Sequence, residues 1–255
     1  MRRFCSLLIL AAILLGAGPA HAQPNRRIAL LVGNAAYVHA GALPEAPRNV
    51  ALLAAAFRRA GFSSVTTTTD ASRKAMIDGL RDFAAAAETA DIAVIYFSGL
   101  GVQTDTGNYL LPIEADGRFV EDVAESGVSL ERFTTAAAGA RKLGLVLVDA
   151  AQRDAYLMRI PRKRSREIRF GLARVEPGSP NLLVGFSDKP GTMTSADSGD
   201  GGLYAQTLAA TLFRPRADIR RALRRTHDIV LARTAGSQEP ATFGSLGGGA
   251  IPLGK

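Results

Sequence analysis

Cysteine occurs once in this chain of 255 residues, as Cys5, and tryptophan not at all. One cysteine makes no internal disulfide, and because Cys5 sits in an apolar amino-terminal run, the chain beyond it has no thiolate to offer as nucleophile or metal ligand. Histidine is scarce too, with three residues. His21 belongs to the same amino-terminal region, which leaves His39 and His227 for general-base work; two separated histidines without cysteine do not have zinc-ligand spacing, so no metal and no cofactor is expected. Aromatic residues make up 6% of the chain. None is interleaved with basic residues as a stacking platform would need, so no nucleic-acid partner is expected.

The amino terminus reads as a secretory signal peptide over residues 1–22. Arg2 and Arg3 provide the positive start, Phe4 to Leu15 the apolar core, and Ala20-His21-Ala22 a small-residue cleavage site. A membrane anchor is the competing reading, but the apolar run falls short of the roughly 20 residues a spanning helix needs, and Gly16, Gly18 and Pro19 interrupt it. No lipobox surrounds Cys5. The pattern is bacterial in style and predicts an exported protein, periplasmic or secreted, with no stable anchor after cleavage. The remaining stretch, about 230 residues, suits a single domain over 23–255. The net charge of +8 is concentrated in Arg159 to Arg169 and between Arg214 and Arg225. Charge alone reports solubility and steering, and the default reading is a solvated basic surface.

Apolar strands alternate with amphipathic helices, the signature of an α/β fold with a mostly parallel sheet and helices on both faces. Strands are predicted at Arg27 to Val32, Phe62 to Thr69, Asp91 to Phe97, Leu143 to Val148 and Asn181 to Phe186. A helix is predicted from Asn49, with Val50, Leu53, Phe57 and Ala60 at helical spacing and Gly61 as its stop. Asp70 or Ser72 caps a second helix, buried along Met76, Leu80 and Phe83. Leu203 to Phe213 is a third. Pro215 or Asp218 opens the last, with Ile219, Leu223 and Val230 inward and Arg220, Arg221, Arg224 and Arg225 outward. Ser98-Gly99-Leu100-Gly101 and Asp149-Ala150-Ala151 are read as turns at strand carboxyl ends, where open α/β sheets bind ligands. The Arg- and Lys-rich stretch that ends at Pro177-Gly178-Ser179-Pro180 reads as a mobile surface loop.

Several of these segments together resemble the bacterial caspase-like peptidases of the peptidase C14 family, the metacaspase and orthocaspase group. Ile28-Ala29-Leu30-Leu31-Val32-Gly33-Asn34 with Tyr37 and Leu43-Pro44 is similar to their opening strand. Tyr96-Phe97-Ser98-Gly99-Leu100-Gly101 resembles their Phe-Ser-Gly-His-Gly run. Asn108 to Pro112 is similar to the segment that follows it, Asp149-Ala150-Ala151 to their Asp-Ala-Cys, and Gly171 to Val175 to the stretch before their next strand. The resemblance covers nearly all of 23–255 in order and implies the caspase–hemoglobinase fold.

The same resemblance implies that Leu100 stands where the family carries its general-base histidine and Ala151 where it carries the nucleophilic cysteine. Neither side chain ionises or attacks, so the expectation is a pseudoenzyme with no functional catalytic residue. Family members that cut after Arg or Lys line their specificity pocket with a Ser, an Asp and a further Asp. Ser98 and Asp149 match the first two, and Asn49 stands at the third. A bland reading is equally open: Ser98 bonded locally in a turn, Asp149 accepting backbone hydrogens at a strand end. Asp154 echoes, one residue out of register, an Asp that follows the family's cysteine. Some relatives bind calcium through clustered acids, but Asp105, Glu114 and Asp116 are too scattered to read as such a site.

The leading expectation is therefore a catalytically inactive caspase-like protein that binds a protein or peptide. The alternatives are a regulatory subunit of an active caspase-like relative, a cysteine-type endopeptidase by family, or a hydrolase with a relocated nucleophile. His39 near Ser98 or Ser187 is the candidate for that last chemistry, though no Gly-x-Ser-x-Gly elbow accompanies either serine. His227, among arginines, reads as a surface residue. A monomer is expected.

Overall fold

The computed structural model describes residues 25–116, 125–151, 171–192 and 202–254. The expected leader, Asp154 and the basic run 159–169 lie outside them. In chain order the elements are β1 (Arg27–Gly33), a short hairpin of β2 (Ala36–Tyr37) and β3 (Gly41–Ala42), α1 (Glu45–Arg59), β4 (Ser64–Thr69) and α2 (Arg73–Ala87). Then come β5 (Ile92–Thr104), β6 (Gly107–Leu110), β7 (Val128–Ser129), α3 (Leu130–Ala138), β8 (Leu143–Ala151) and β9 (Leu182–Phe186). The chain continues with α4 (Leu203–Thr211), α5 (Ile219–Arg233) and β10 (Ala241–Ser245).

The main sheet runs β10-β9-β8-β5-β1-β4, parallel except for β10, which pairs antiparallel with β9 at the edge. Its central strands read as continuous apolar runs because both faces are covered. Side chains alternate across the sheet, so Ile28, Leu30 and Val32 of β1 and Ala93, Ile95 and Phe97 of β5 pack against α2 and α3. Ala29, Leu31, Ile92, Val94 and Tyr96 face α1, α4 and α5. Phe57, Phe97, Phe133, Leu31, Leu53 and Ile95 are fully buried; each such side chain contributes about 1.5–3 kcal/mol. This is the mostly parallel α/β sheet with helices on both faces that the periodicity predicts.

The structure corrects the expected carboxyl ends of two strands. Ser98-Gly99-Leu100-Gly101 is not a turn: β5 runs straight through it to Thr104, and β8 likewise continues through Asp149-Ala150-Ala151. The two extensions pair with each other, Ser98 with Asp149, Gly99 with Ala150 and Leu100 with Ala151. From Gly101 onward β5 also pairs with β6. Backbone pairing on these strands outweighs the turn preference of two glycines, which is a local signal.

Other differences are smaller. The first helix starts at Glu45, four residues before Asn49, with Pro44 at its N-cap. Ser72, not Asp70, caps α2, its hydroxyl accepting from the Ala75 amide, while Asp70 accepts the amides of Ala35 and Ala36. Asp218 caps α5 and accepts from the Arg220 amide. The strands β6, β7 and β10 and the helix α3 were not foreseen, because they are short or built on weakly patterned sequence. Residues 173–180 are irregular and alternate in exposure; the Asn108 side chain clamps Ala173 through both backbone groups, at 2.7 and 2.8 Å.

Candidate functional site

Alternation along β5 and β8 puts Tyr96, Ser98, Leu147 and Asp149 on the face that α1 and α4 cover. Asn49 lies in the first turns of α1, on the helical row that also buries Ala46, Val50 and Leu53. It therefore points at the carboxyl ends of the strands. Asn49, Ser98 and Asp149, separated by up to a hundred positions in the sequence, meet there: the Asn49 Nδ2 group donates to Asp149 Oδ2 at 3.4 Å and to Ser98 Oγ at 3.5 Å. The local-turn reading of Ser98 and the strand-end reading of Asp149 are both set aside by this, since Asp149 takes its hydrogen bonds from side chains.

The strongest of these is the Tyr96 hydroxyl, 2.8 Å from Asp149 Oδ2, and Ser187 also donates to the carboxylate. Burial nevertheless dominates and pushes the Asp149 carboxyl up to about 6; the two hydroxyl donors pull the other way, and the charge of Glu45 adds to the rise. The fully buried Tyr96 and Tyr204 hydroxyls are held far above their ordinary range, first by burial and then by the Asp149 charge. The Gly202 amide donates to Asn49 Oδ1 at 3.0 Å, and a Cβ there would come 2.8 Å from Asn49 Nδ2 and 3.2 Å from Asp149 Oδ2, so only glycine approaches this closely. Asn49 and Ser98 are 3% exposed and Ser187 2%, while Asp149 is half-buried, so the start of α4 covers the cluster and leaves the carboxyl in partial contact with solvent.

Two residues further along β5 and β8, Leu100 and Ala151 are Cα partners. The Leu100 side chain is 1% exposed, packed in an apolar cluster with Tyr37, Ala40, Leu43, Val102, Leu111 and Ala115. Tyr37 locks the strand there: its hydroxyl accepts from the Leu100 amide at 2.7 Å and donates to the Leu111 carbonyl at 3.1 Å. A Cβ at position 99 would come within 2.5 Å of that hydroxyl, which accounts for Gly99. Position 100 is thus part of the core.

With this geometry in view, a family model described as the caspase domain, peptidase C14, matches residues 26–247. The chain belongs to the caspase-domain family. A solved structure, caspase-1 from Spodoptera frugiperda, superposes on this caspase domain with a TM-score of 0.64 at 16% identity, covering 91% of this chain and 93% of that one. At that identity the likeness shows the fold. No curated protein matches the sequence.

The remaining candidates are dispersed. His39 is half-buried in the turn after β2. His227 lies on α5 with its Nδ1 2.9 Å from Asp228 Oδ1. Asp105 is exposed in the β5–β6 turn, and Glu114 accepts the Arg73 amide at the start of α2. Among the described residues no three His, Cys, Asp or Glu side chains converge as metal ligands. Sequence reasoning missed Tyr96, Gly202 and Tyr204 as members of the Asp149 cluster. Tyr96 was within reach of it, since a residue two before Ser98 on a strand shares its face.

Proposed function

We propose that this caspase domain is a pseudo-peptidase that binds a protein or peptide, or regulates an active caspase-like relative, and does not hydrolyse peptide bonds. The observation that carries the reading is the environment of Leu100. At the position that the resemblance assigns to the general base there is an apolar side chain sealed in a core cluster, its amide held by Tyr37, beside Ala151 in the neighbouring strand. A cysteine peptidase needs a thiolate and a proton acceptor in contact. Without nucleophile and base, binding and oxyanion stabilisation alone leave about a thousandfold over water, by the precedent of serine proteases.

A relocated serine nucleophile is disfavoured by the same geometry. Ser98 and Ser187 are almost fully buried and engaged with Asn49 and Asp149, so neither presents a hydroxyl to a substrate. The half-buried Asp149 carboxyl supports a weakened site for a basic side chain, because the resemblance places an amide, Asn49, where a further acid is expected and the remaining carboxyl is protonated for part of the time near neutral pH.

The test is cleavage of a broad quenched-fluorescent peptide library by the purified protein and by a Leu100→His, Ala151→Cys double variant. The natural protein is expected to be silent. Turnover by it that survives Ser98→Ala and Ser187→Ala, or that either abolishes, overturns the reading. Activity regained in the double variant supports a cleft that still holds a peptide.

A further inference from the structure

The arginines of α5 are placed against the local electrostatics of the helix. Arg220 and Arg221 stand in its first turn, where the amide ends of the peptide dipoles favour negative charge, and no acid occupies that turn. Arg220 and Arg224, and again Arg221 and Arg225, are i,i+4 pairs of like charge, an arrangement that weakens a helix. Arg220 alone is compensated, by Asp218 at 2.9 Å. Arg214, Arg216, Arg221, Arg224 and Arg225 are exposed and form no ion pair with a described carboxylate.

The fold gathers further positive charge around them. The Phe57 and Phe213 rings meet edge to face at 4.9 Å, which brings the carboxyl end of α1, with exposed Arg58 and Arg59, beside the turn that holds Arg214 and Arg216. The Arg27 guanidinium ties the same region together by donating to the carbonyls of Ala60 and Leu253. This arginine pole lies at the amino ends of the parallel strands, opposite the Asp149 cluster. Side chains that cost helix stability and find no partner among the described residues are a local conflict of the kind expected where a ligand supplies the missing charge.

We propose that the arginine pole docks this protein on an anionic phospholipid surface through headgroup phosphates. Guanidinium forks suit phosphate oxygens and remain charged at any physiological pH. Among the described residues the exposed large apolar side chains are Val38 and Leu52, and neither lies on α5 or the turn before it, so the contact is electrostatic and without insertion from that helix. The absence of exposed aromatic residues among 214–225 removes the stacking that single-stranded nucleic acid would use. No helix among the described residues is long and apolar enough to cross a membrane.

The experiment is sedimentation of the full chain with vesicles of phosphatidylglycerol mixed with phosphatidylcholine, against vesicles of phosphatidylcholine alone. The amino terminus, with Arg2 and Arg3, adds its own preference for anionic lipid, but that contribution is common to every variant, so the comparison between variants isolates the arginine pole. Binding is expected to favour the anionic vesicles and to fall steeply as salt rises from about 0.05 to 0.5 M, as screening shortens the reach of the charges. Each arginine near the surface is worth about fivefold, so Arg221→Gln, Arg224→Gln and Arg225→Gln together should weaken the preference about a hundredfold. The triple variant should melt no lower than the parent, because like-charge repulsion is relieved, and this separates lost binding from lost folding. Equal binding to both vesicles, an undiminished preference in the folded triple variant, or tighter binding to duplex DNA than to anionic vesicles at the same salt overturns the proposal.

Discussion

Replacing Asp149 by asparagine should stabilise this protein at neutral pH, although the carboxylate sits at the centre of a hydrogen-bonded cluster. Its carboxyl is raised from the ordinary 3.8 to about 6, so the folded state holds the proton more tightly than the unfolded chain does. The associated stability is complete below the unfolded value, declines as pH rises from about 4 to about 6, and stays lost above that. A shift of about two units corresponds to about 3 kcal/mol, and partial contact with solvent brings it nearer 2 kcal/mol. Asparagine keeps an oxygen to accept from the Tyr96 hydroxyl at the position of Oδ2 and carries no charge to desolvate. Its amide nitrogen can donate to Ser187, whose hydroxyl accepts as readily as it donates.

Urea unfolding followed by circular dichroism, at intervals between pH 4 and pH 8, measures the effect as the difference between Asp149→Asn and the parent. That difference should be close to zero near pH 4 and rise to about 2 kcal/mol in favour of the variant by pH 7.5. Other carboxylates cancel in the subtraction. A flat difference curve, or a variant less stable than the parent at pH 7.5, would refute the claim that burial dominates the Asp149 environment. Stabilisation by removing a group of this kind is the usual signature of a residue kept for a purpose other than folding.

Two further substitutions probe the elements around the site. Tyr37→Phe leaves the ring in the apolar cluster but strips the hydroxyl from the Leu100 amide and the Leu111 carbonyl; thermal or urea unfolding should report a loss of about 1–3 kcal/mol, with hydrogen exchange at the Leu100 amide accelerated. Asp218→Ala removes the α5 cap, the Arg220 pair and the bond from the Ile251 amide. It should cost about 1–2 kcal/mol at pH 7. The Arg220 pair and the two amides hold that carboxyl down at about 2, so its contribution is present above about pH 4 and lost as pH falls through about 2; the penalty of the substitution should vanish over the same range.

Periodicity made most of the scaffold legible. Arg27 to Val32, Asp91 to Phe97 and Leu143 to Val148 read as buried parallel strands because both faces of the sheet demand apolar residues, and α2 and α5 read as helices from their buried rows and their caps. Family motifs singled out Asn49, Ser98 and Asp149, which the fold brings together, with Asn49 within hydrogen-bonding distance of both Ser98 and Asp149. Strand ends were misread. Ser98 to Gly101 has turn composition, and whether such a run turns or pairs depends on β6 and β8, which lie at other places in the sequence.

The sequence by itself determined the composition of the site: no thiol beyond Cys5, leucine and alanine at positions 100 and 151, and an amide at position 49. These are chemical identities, and folding does not alter them. Only the tertiary structure decided their surroundings, because burial and hydrogen bonding are set by neighbours remote in the chain. It sealed Leu100 beneath Tyr37 and Leu111, lifted the Asp149 carboxyl by burying it among Tyr96, Ser187 and Asn49, and brought Arg214 and Arg216, in the turn before α5, beside the arginines of α1.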